Sequence, residues 1–367
     1  MTKGRFHMMK MTVKKVLVAM LSITMMIGMA GCGGSKSDRA KNSKYSGKEL
    51  NIYLWPEYIP DEVISDFESK YDVKVNVSTF SSNEEMLSKV KGSAKGTYDI
   101  VCPSDYMVQY MIKEHMLAEL KKDQLTNLKN MDENYMKQFY DLKNEYSIPL
   151  AGGEIIPCYD KTQVKTKITS LNDLFNKEFK NKIVVLDDMR IVIGMTAMSM
   201  GYSLNESDSK KLKQVNTKMK TLKDNIYKLT FEATHDMLIS GEVPVGYTFN
   251  GNVALAEAEN ENLVHVWPKE GSYIWIDNLC ITKNSKNQEL ANEFINYMMD
   301  AEVNKKQVDT YPVTNPNKAG REIATDKVKE MKALDIPAEQ LKKSEYAKSV
   351  SEDTLKTYSK MWTEFTK

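Results

Sequence analysis

Residues 267–278 combine aromatic side chains with a carboxylate in a pattern that can hold a cation. The stretch is apolar, aromatic and β-branched around Gly271, which predicts a turn that leads into a β-strand. Side chains in a strand alternate between faces, so Tyr273, Trp275 and Asp277 share one face. A carboxylate buried on such a face is costly unless a cation lies against it. The alternative is an edge strand, with Asp277 in solvent and Trp275 in the core.

Predicted strands and helices alternate along the chain after residue 49. This order indicates how the strand predicted from residues 267–278 fits into a larger sheet. Strand followed by helix followed by strand is typical of an α/β fold, in which a mainly parallel sheet is flanked by helices. Ligands of open α/β sheets bind beyond the carboxyl ends of the strands. The hydrophobic patterns predict strands at 50–54, 73–80, 98–102, 183–186 and 243–249, and helices at 61–70, 191–200, 209–224 and 287–299.

Polar and aromatic residues follow three of these strands at the end where a ligand binds. Trp55 and Tyr58 follow the first strand, and Ser104 and Tyr106 follow the third. Asp188 follows the strand at 183–186 in the same way. We therefore expect these side chains to converge on one cleft.

The folded body of about 320 residues is larger than a single core usually supports, which predicts two lobes. The boundaries that we predict are 49–152 with 277–321 for lobe 1, and 153–276 with 322–367 for lobe 2. A chain that leaves lobe 1 and returns to it connects the lobes by crossover strands. The cleft between the lobes is then the site, with Trp275 and Asp277 near the second crossover.

The first 31 residues predict an export signal. They contain five basic residues and no acidic one, followed by an apolar run at 16–29 that is too short for a spanning helix. Cys32 follows Met29-Ala30-Gly31 and resembles the lipidated cysteine of a bacterial lipobox. The alternative is a plain secretory signal with a chance cysteine. Residues 32–48 are polar and predict a flexible tether.

Composition excludes several classes of function. Residues 1–31 hold five of the 51 basic residues and none of the 50 acidic ones, so the mature chain has a formal net charge of −4. No basic patch suggests a nucleic-acid partner. Cys102, Cys158 and Cys280 are an odd number without C-x-x-C spacing, so we expect small buried hydrophobes and no zinc site. The scattered histidines indicate no metal or cofactor.

Several short motifs occur in one order along the folded body. They are Trp55 with Tyr58, Pro103-Ser104-Asp105-Tyr106, Tyr146-Ser147-Ile148-Pro149, Asp187-Asp188-Met189-Arg190, Asn250-Gly251, Trp267 to Gly271 with Trp275-Ile276-Asp277, and Tyr311-Pro312. This set resembles the spermidine/putrescine-binding proteins of bacterial ABC importers. The resemblance implies a two-lobed periplasmic-binding-protein fold of type II, which closes on an extended polyamine.

The resemblance also implies the ligand-binding residues. Asp277 meets one ammonium group and Asp188 the other, while aromatic side chains contact the methylene chain, each cation–π contact contributing ~0.5–2 kcal/mol. Ile191 stands where many members have a second carboxylate. Glu232 either supplies that charge or caps a surface helix. The complete implied set is Trp55, Tyr58, Ser104, Tyr106, Asp188, Glu232, Phe249, Trp275, Asp277 and Tyr311.

The sequence therefore predicts a monomeric receptor, anchored by a lipid at the extracytoplasmic face of the cell membrane. It captures putrescine or spermidine and delivers it to an ABC permease and its ATPase. One alternative is the same fold binding another organic cation or acting as a sensor. The other is a secreted enzyme, which is disfavoured because no nucleophile–base pair accompanies the candidate carboxylates.

Overall fold

The computed structural model describes residues 43–231 and 233–367. The predictions for the export signal, for Cys32 and for Glu232 lie outside these residues. The β-strands are β1 (Glu49–Leu54), β2 (Lys74–Thr79), β3 (Ile100–Val101), β4 (Ser147–Asp160), β5 (Ile183–Val185), β6 (Ile226–Leu229), β7 (Val245–Phe249), β8 (Leu263–His265), β9 (Tyr273–Ile281) and β10 (Glu345–Tyr346). The α-helices are α1 (Asp61–Tyr71), α2 (Asn83–Gly92), α3 (Asp105–Lys113), α4 (Met189–Met198), α5 (Ser209–Lys223), α6 (Thr234–Ile239), α7 (Asn250–Glu259), α8 (Gln288–Met298), α9 (Ala301–Thr310), α10 (Lys318–Ile323), α11 (Asp326–Lys329), α12 (Ala338–Leu341) and α13 (Glu352–Thr366).

The sheet consists of two parallel groups of strands joined by two antiparallel strands. Its order is β2-β1-β3-β9-β4-β7-β5-β6, with β10 beside β9 and β8 beside β4. β1 is parallel to β2 and β3, and β5 is parallel to β6 and β7. β9 and β4 pair antiparallel with each other and connect the groups. The predicted mainly parallel sheets are confirmed, and the lobe boundaries stay a prediction.

The strand predicted from residues 267–278 is β9. Gly271 makes the turn before it with a positive φ of 88°, and a Cβ there would lie 2.3 Å from the Lys343 carbonyl oxygen. Only glycine accepts both conditions without strain. β9 lies between β3 and β4 in the interior of the sheet, so the edge-strand alternative is wrong.

Both parallel groups bury their apolar faces under helices. In α8 the predicted apolar positions Leu290, Phe294 and Tyr297 are all buried. The three remaining cysteines are free and buried, as predicted, and burial raises the pKa of each thiol. Among the described residues, no cluster of three acidic, histidine or cysteine side chains is arranged to hold a metal ion.

The folded body begins before the predicted end of the tether. Residues 43–48 form turns, and Tyr45 is only 3% exposed with its ring 6.0 Å from that of Tyr71. This single buried aromatic ties an otherwise polar segment to α1, which composition alone does not indicate. No described helix has the length and apolar character needed to cross a membrane.

Candidate ligand-binding site

Asp277 is a buried carboxylate that neutral donors contact. It is 3% exposed, its Oδ1 accepts a hydrogen bond of 2.5 Å from Ser104 Oγ, and its Oδ2 accepts one from the Tyr58 hydroxyl. Within residues 43–231 and 233–367, no lysine, arginine or histidine forms an ion pair with Asp277. The carboxylate therefore has hydrogen bonds but no counter-charge.

Sheet order brings these three residues together. Tyr58 lies in the turn after β1, and Ser104 is the N-cap of α3 after β3. β9 is the next strand beyond β3, and Ser104 and Asp277 form an isolated antiparallel bridge. The carboxyl ends of β1 and β3 thus deliver both hydroxyl donors to one side chain of the connecting strand.

Burial raises the pKa of Asp277 from its ordinary value of 3.8 to about 6. The hydrogen bonds from Ser104 and Tyr58 oppose this shift. The indole N–H of Trp55 also favours the charged form, although its geometry falls short of a hydrogen bond. Since desolvation outweighs all three donors, a cation placed beside the carboxylate gains a strong interaction.

Aromatic side chains extend from Asp277 along the second parallel group. The rings of Trp275 and Phe249 meet edge to face at 5.4 Å, and Phe231 stacks on Phe249 at 6.4 Å with 22° between the planes. On the first group, Trp55 packs edge to face on Phe80 at 4.5 Å. These rings offer apolar faces on which methylene groups and cations bind favourably.

Gly153 on β4 allows Trp275 to lie against the sheet. A Cβ at this position would be 3.2 Å from Cζ2 of the indole and 2.3 Å from Asn250 Oδ1. Asn250 is fully buried and fixes the start of α7, because its side chain bonds the Glu154 amide, the Thr314 hydroxyl and the Ala333 carbonyl. The Asn250-Gly251 motif therefore supports the aromatic side chains of the site.

Tyr311 reaches the same region through the segment after α9. A Cβ on Gly251 would lie 2.8 Å from the Pro312 carbonyl oxygen, so this segment crosses directly over the start of α7. Thr314 then bridges to Gly152 on β4. The backbone thus brings the segment that begins with Tyr311 against the start of α7, directly after the end of β7 at Phe249, and the role of Tyr311 toward a ligand stays a prediction.

Asp188 caps α4 at the carboxyl end of β5. Its Oδ1 accepts a hydrogen bond of 2.9 Å from the Ile191 amide, which explains part of the sequence pattern by helix capping alone. Part of the residue remains exposed, yet burial of the carboxyl raises its pKa, and the Arg190 charge opposes that rise. Asp188 is thus available to a ligand on the side that it does not use for capping.

Tyr106 lies between Asp188 and an acidic residue that the sequence analysis missed. Its hydroxyl donates a hydrogen bond of 3.1 Å to Glu84 Oε1. The Glu84 and Asp188 charges both raise the pKa of Tyr106, after the larger effect of burial. An acid in the first turn of an exposed helix is common, so the sequence offered no signal that singled out Glu84.

Asp105 is a second residue whose role only the structure reveals. It is fully buried, accepts hydrogen bonds from the amides of Tyr106 (2.6 Å) and Ile276 (3.2 Å), and burial raises its pKa well above the ordinary value. The bond from Ile276 fastens α3 to β9 between Trp275 and Asp277, whereas the bond from Tyr106 lies within α3. Asp105 therefore helps to fix the positions of Trp275 and Asp277 on β9 without being exposed itself.

The class of protein follows from comparison with known families. Residues 62–335 match the family of bacterial extracellular solute-binding proteins. The chain belongs to this family, and its fold is the two-lobed fold of periplasmic solute-binding proteins.

Three similar proteins narrow the comparison. The spermidine/putrescine-binding periplasmic protein of Salmonella typhimurium is 34% identical over 304 residues, 83% of this chain and 87% of that protein. The structure of a putative spermidine/putrescine ABC transporter from Listeria monocytogenes has a TM-score of 0.81 at 31% identity, covering 87% of this chain and 98% of that one. A lipoprotein of Treponema pallidum has a TM-score of 0.76 at 25% identity, covering 86% and 99%. The predicted family is confirmed.

Proposed function

We propose that this protein is an extracytoplasmic receptor that captures a polyamine such as putrescine or spermidine and delivers it to an ABC permease. The observation that carries the proposal is Asp277, a buried carboxylate with two hydroxyl donors and no counter-charge among the described residues. Such a group is costly until a cation joins it. Polyamine binding by the Salmonella relative supports the same ligand class.

The remaining side chains fit the shape of a polyamine. Methylene groups between two ammonium ends lie favourably on Trp275 and Trp55, and each ring also attracts a neighbouring ammonium by ~0.5–2 kcal/mol. Asp188 provides a second acidic group at the end of β5, next to Tyr106. A neutral ligand would leave both carboxylates without a counter-charge.

The same geometry disfavours catalysis. Ser104 donates to Asp277 and accepts from the Asn83 amide, so no histidine or lysine of the described residues bonds to this hydroxyl as the base that a serine nucleophile uses. The Asp188 carboxylate is held by a helix amide. We expect a monomer attached to the membrane through lipidated Cys32. The related Treponema protein, which is named a lipoprotein, supports the anchor.

Calorimetric titration of the purified protein tests the ligand class. Putrescine, spermidine, spermine and agmatine are compared with glutamate, which carries one ammonium group and two carboxylates. We expect saturable binding of at least one polyamine and none of glutamate. Binding of glutamate alone contradicts the proposal, and binding of agmatine alone favours the alternative of another organic cation.

Uptake of labelled polyamine tests transport against sensing. Cells that lack this protein should take up the bound polyamine more slowly than cells that carry it, and the intact gene should restore the rate. A protein that binds polyamine without changing uptake would be a sensor.

A further inference from the structure

Two carboxylates flank Tyr106 at the end of the candidate site away from Asp277. Glu84, the second residue of α2, accepts a hydrogen bond of 3.1 Å from the Tyr106 hydroxyl. The Glu84 side chain is exposed, so a ligand can reach it. Asp188 is the N-cap of α4, and Tyr106 packs against the apolar cluster that contains Ile191 of the same helix. The Glu84 charge is also one of the causes that raise the pKa of Asp188. Tyr106 thus links the two acids, because it donates a hydrogen bond to Glu84 and packs beside the start of the helix that Asp188 caps.

The part of the chain that the structure describes supplies no ion-pair partner for these two acids. Among the residues that the structure describes, neither Glu84 nor Asp188 forms an ion pair with a lysine, arginine or histidine. Arg190 lowers the pKa of Asp188, but its guanidinium donates to Asn205 Oδ1 at 3.0 Å and to the Lys348 carbonyl at 3.1 Å. The pair thus retains negative charge that a ligand can use.

The two acids belong to different parallel groups of the sheet. α2 follows β2 in the first group, whereas α4 follows β5 in the second. Like charges disfavour close approach of the helices that carry them, and a cation between them reverses the sign of that interaction. A ligand that meets both acids therefore stabilises the closed arrangement of the two groups, since it binds that arrangement better.

We propose that Glu84 and Asp188 together hold the second ammonium group of the ligand, with the Tyr106 ring beside it. This inference rests on the proposed function and names a residue that determines preference for ligands with two charged ends. Ile191, where the family resemblance places a second carboxylate, is 5% exposed and packs in the core. Glu84 supplies that charge from the opposite group of strands.

The test compares wild type with Glu84→Gln for two ligands of similar size. Putrescine carries two ammonium groups, and n-butylamine carries one, which Asp277 accepts. Tryptophan fluorescence measures both affinities. We expect Glu84→Gln to weaken putrescine binding by about tenfold to hundredfold, the effect of removing one charged hydrogen-bond partner, and to change butylamine binding by less than about threefold. Glutamine retains an acceptor for the Tyr106 hydroxyl, so an unchanged melting temperature verifies the fold.

Glu85→Gln is the matched control, because it removes the same charge one residue further along α2. The Glu85 carboxylate accepts the amide (3.0 Å) and hydroxyl (2.8 Å) of Ser81 and does not touch Tyr106. Equal losses in both variants would mean a long-range charge effect and overturn the inference. If Glu84→Gln binds putrescine as tightly as the wild type, the inference is overturned. It is also overturned if Glu232→Gln weakens putrescine binding more than Glu84→Gln does. Both results leave the proposed function intact. Failure of the wild type to bind any polyamine overturns the proposed function itself.

Discussion

Replacing Asp277 by asparagine should weaken ligand binding and stabilise the free protein at the same time. Asparagine keeps the size of the side chain and one oxygen acceptor for Ser104. It removes the buried charge that desolvation penalises. Replacing a residue that matters only for packing would lower stability and binding together. A gain in stability with a loss of binding instead identifies a residue that destabilises the free protein and is needed to bind the ligand.

The stability effect follows from the pKa of Asp277. Its value of about 6 in the folded protein against 3.8 ordinarily is a difference of about 2 units, or roughly 3 kcal/mol. The folded carboxyl holds its proton more tightly than the unfolded one, so folding is penalised above pH 6 and the penalty disappears as pH falls toward 4. The variant lacks the penalty. It should therefore be more stable than wild type at pH 8 and about equally stable at pH 4.

The binding effect follows from the missing counter-charge. Removing one side of a buried ion pair costs about 3–5 kcal/mol, which is roughly a hundredfold to a few thousandfold in affinity. The same reasoning predicts that wild-type affinity falls below pH 6, because the cation must then compete with a proton on Asp277.

Denaturant unfolding at pH 8 and pH 4 measures the stability effect, and calorimetric titration at pH 8 and pH 5 measures the binding effect. Asp353→Asn is a suitable control, because it removes the same charge from a side chain on α13 that is 95% exposed. An Asp277→Asn protein that binds polyamine like its parent removes Asp277 from the site. One that binds weakly but is less stable at pH 8 refutes the desolvation argument.

Three further changes test the rest of the site and the anchor. Trp275→Leu should weaken polyamine binding by only about tenfold, because it removes a cation–π contact and leaves the charge pair, and a loss greater than that of Asp277→Asn would contradict this order. Gly153→Ala should destabilise the fold by about 1–3 kcal/mol and shift tryptophan emission, because its Cβ overlaps Asn250 Oδ1, whereas Gly92→Ala, which has open space, should do neither. Cys32→Ser should release the protein from membranes without changing ligand affinity in titration, and retention in the membrane fraction would refute the lipobox.

Much of the architecture could be predicted from local patterns. The alternation in residues 273–277 predicted β9 and placed Trp275 and Asp277 on one face, because the side-chain period of a strand does not depend on its neighbours. The strand at 183–186 and the helix after it were likewise predicted close to β5 and α4. The predicted strand at 98–102 shortened to Ile100–Val101, because strand ends depend on pairing with β1 and β9.

Glu84 and Asp105 show where sequence reasoning stopped. On its own helix, Glu84 is an ordinary acid of an exposed first turn, and Asp105 is an ordinary residue at the start of α3. Their functions depend on Tyr106 and on β9, which come from other parts of the chain. The roles of Glu84 and Asp105 therefore follow from tertiary contacts and not from the local sequence around either residue.

The sequence by itself determined the class of fold, the faces of its strands and the residue types that a cationic ligand requires. Only the tertiary structure decided which donors meet Asp277, because Ser104 and Tyr58 lie 173 and 219 residues away from it along the chain. Those hydrogen bonds exist because β9 inserts beside β3, and the order of strands in a sheet follows from packing of the whole core. The same packing buries the carboxylate with no counter-charge from residues 43–231 or 233–367, and that burial gives Asp277 its raised pKa.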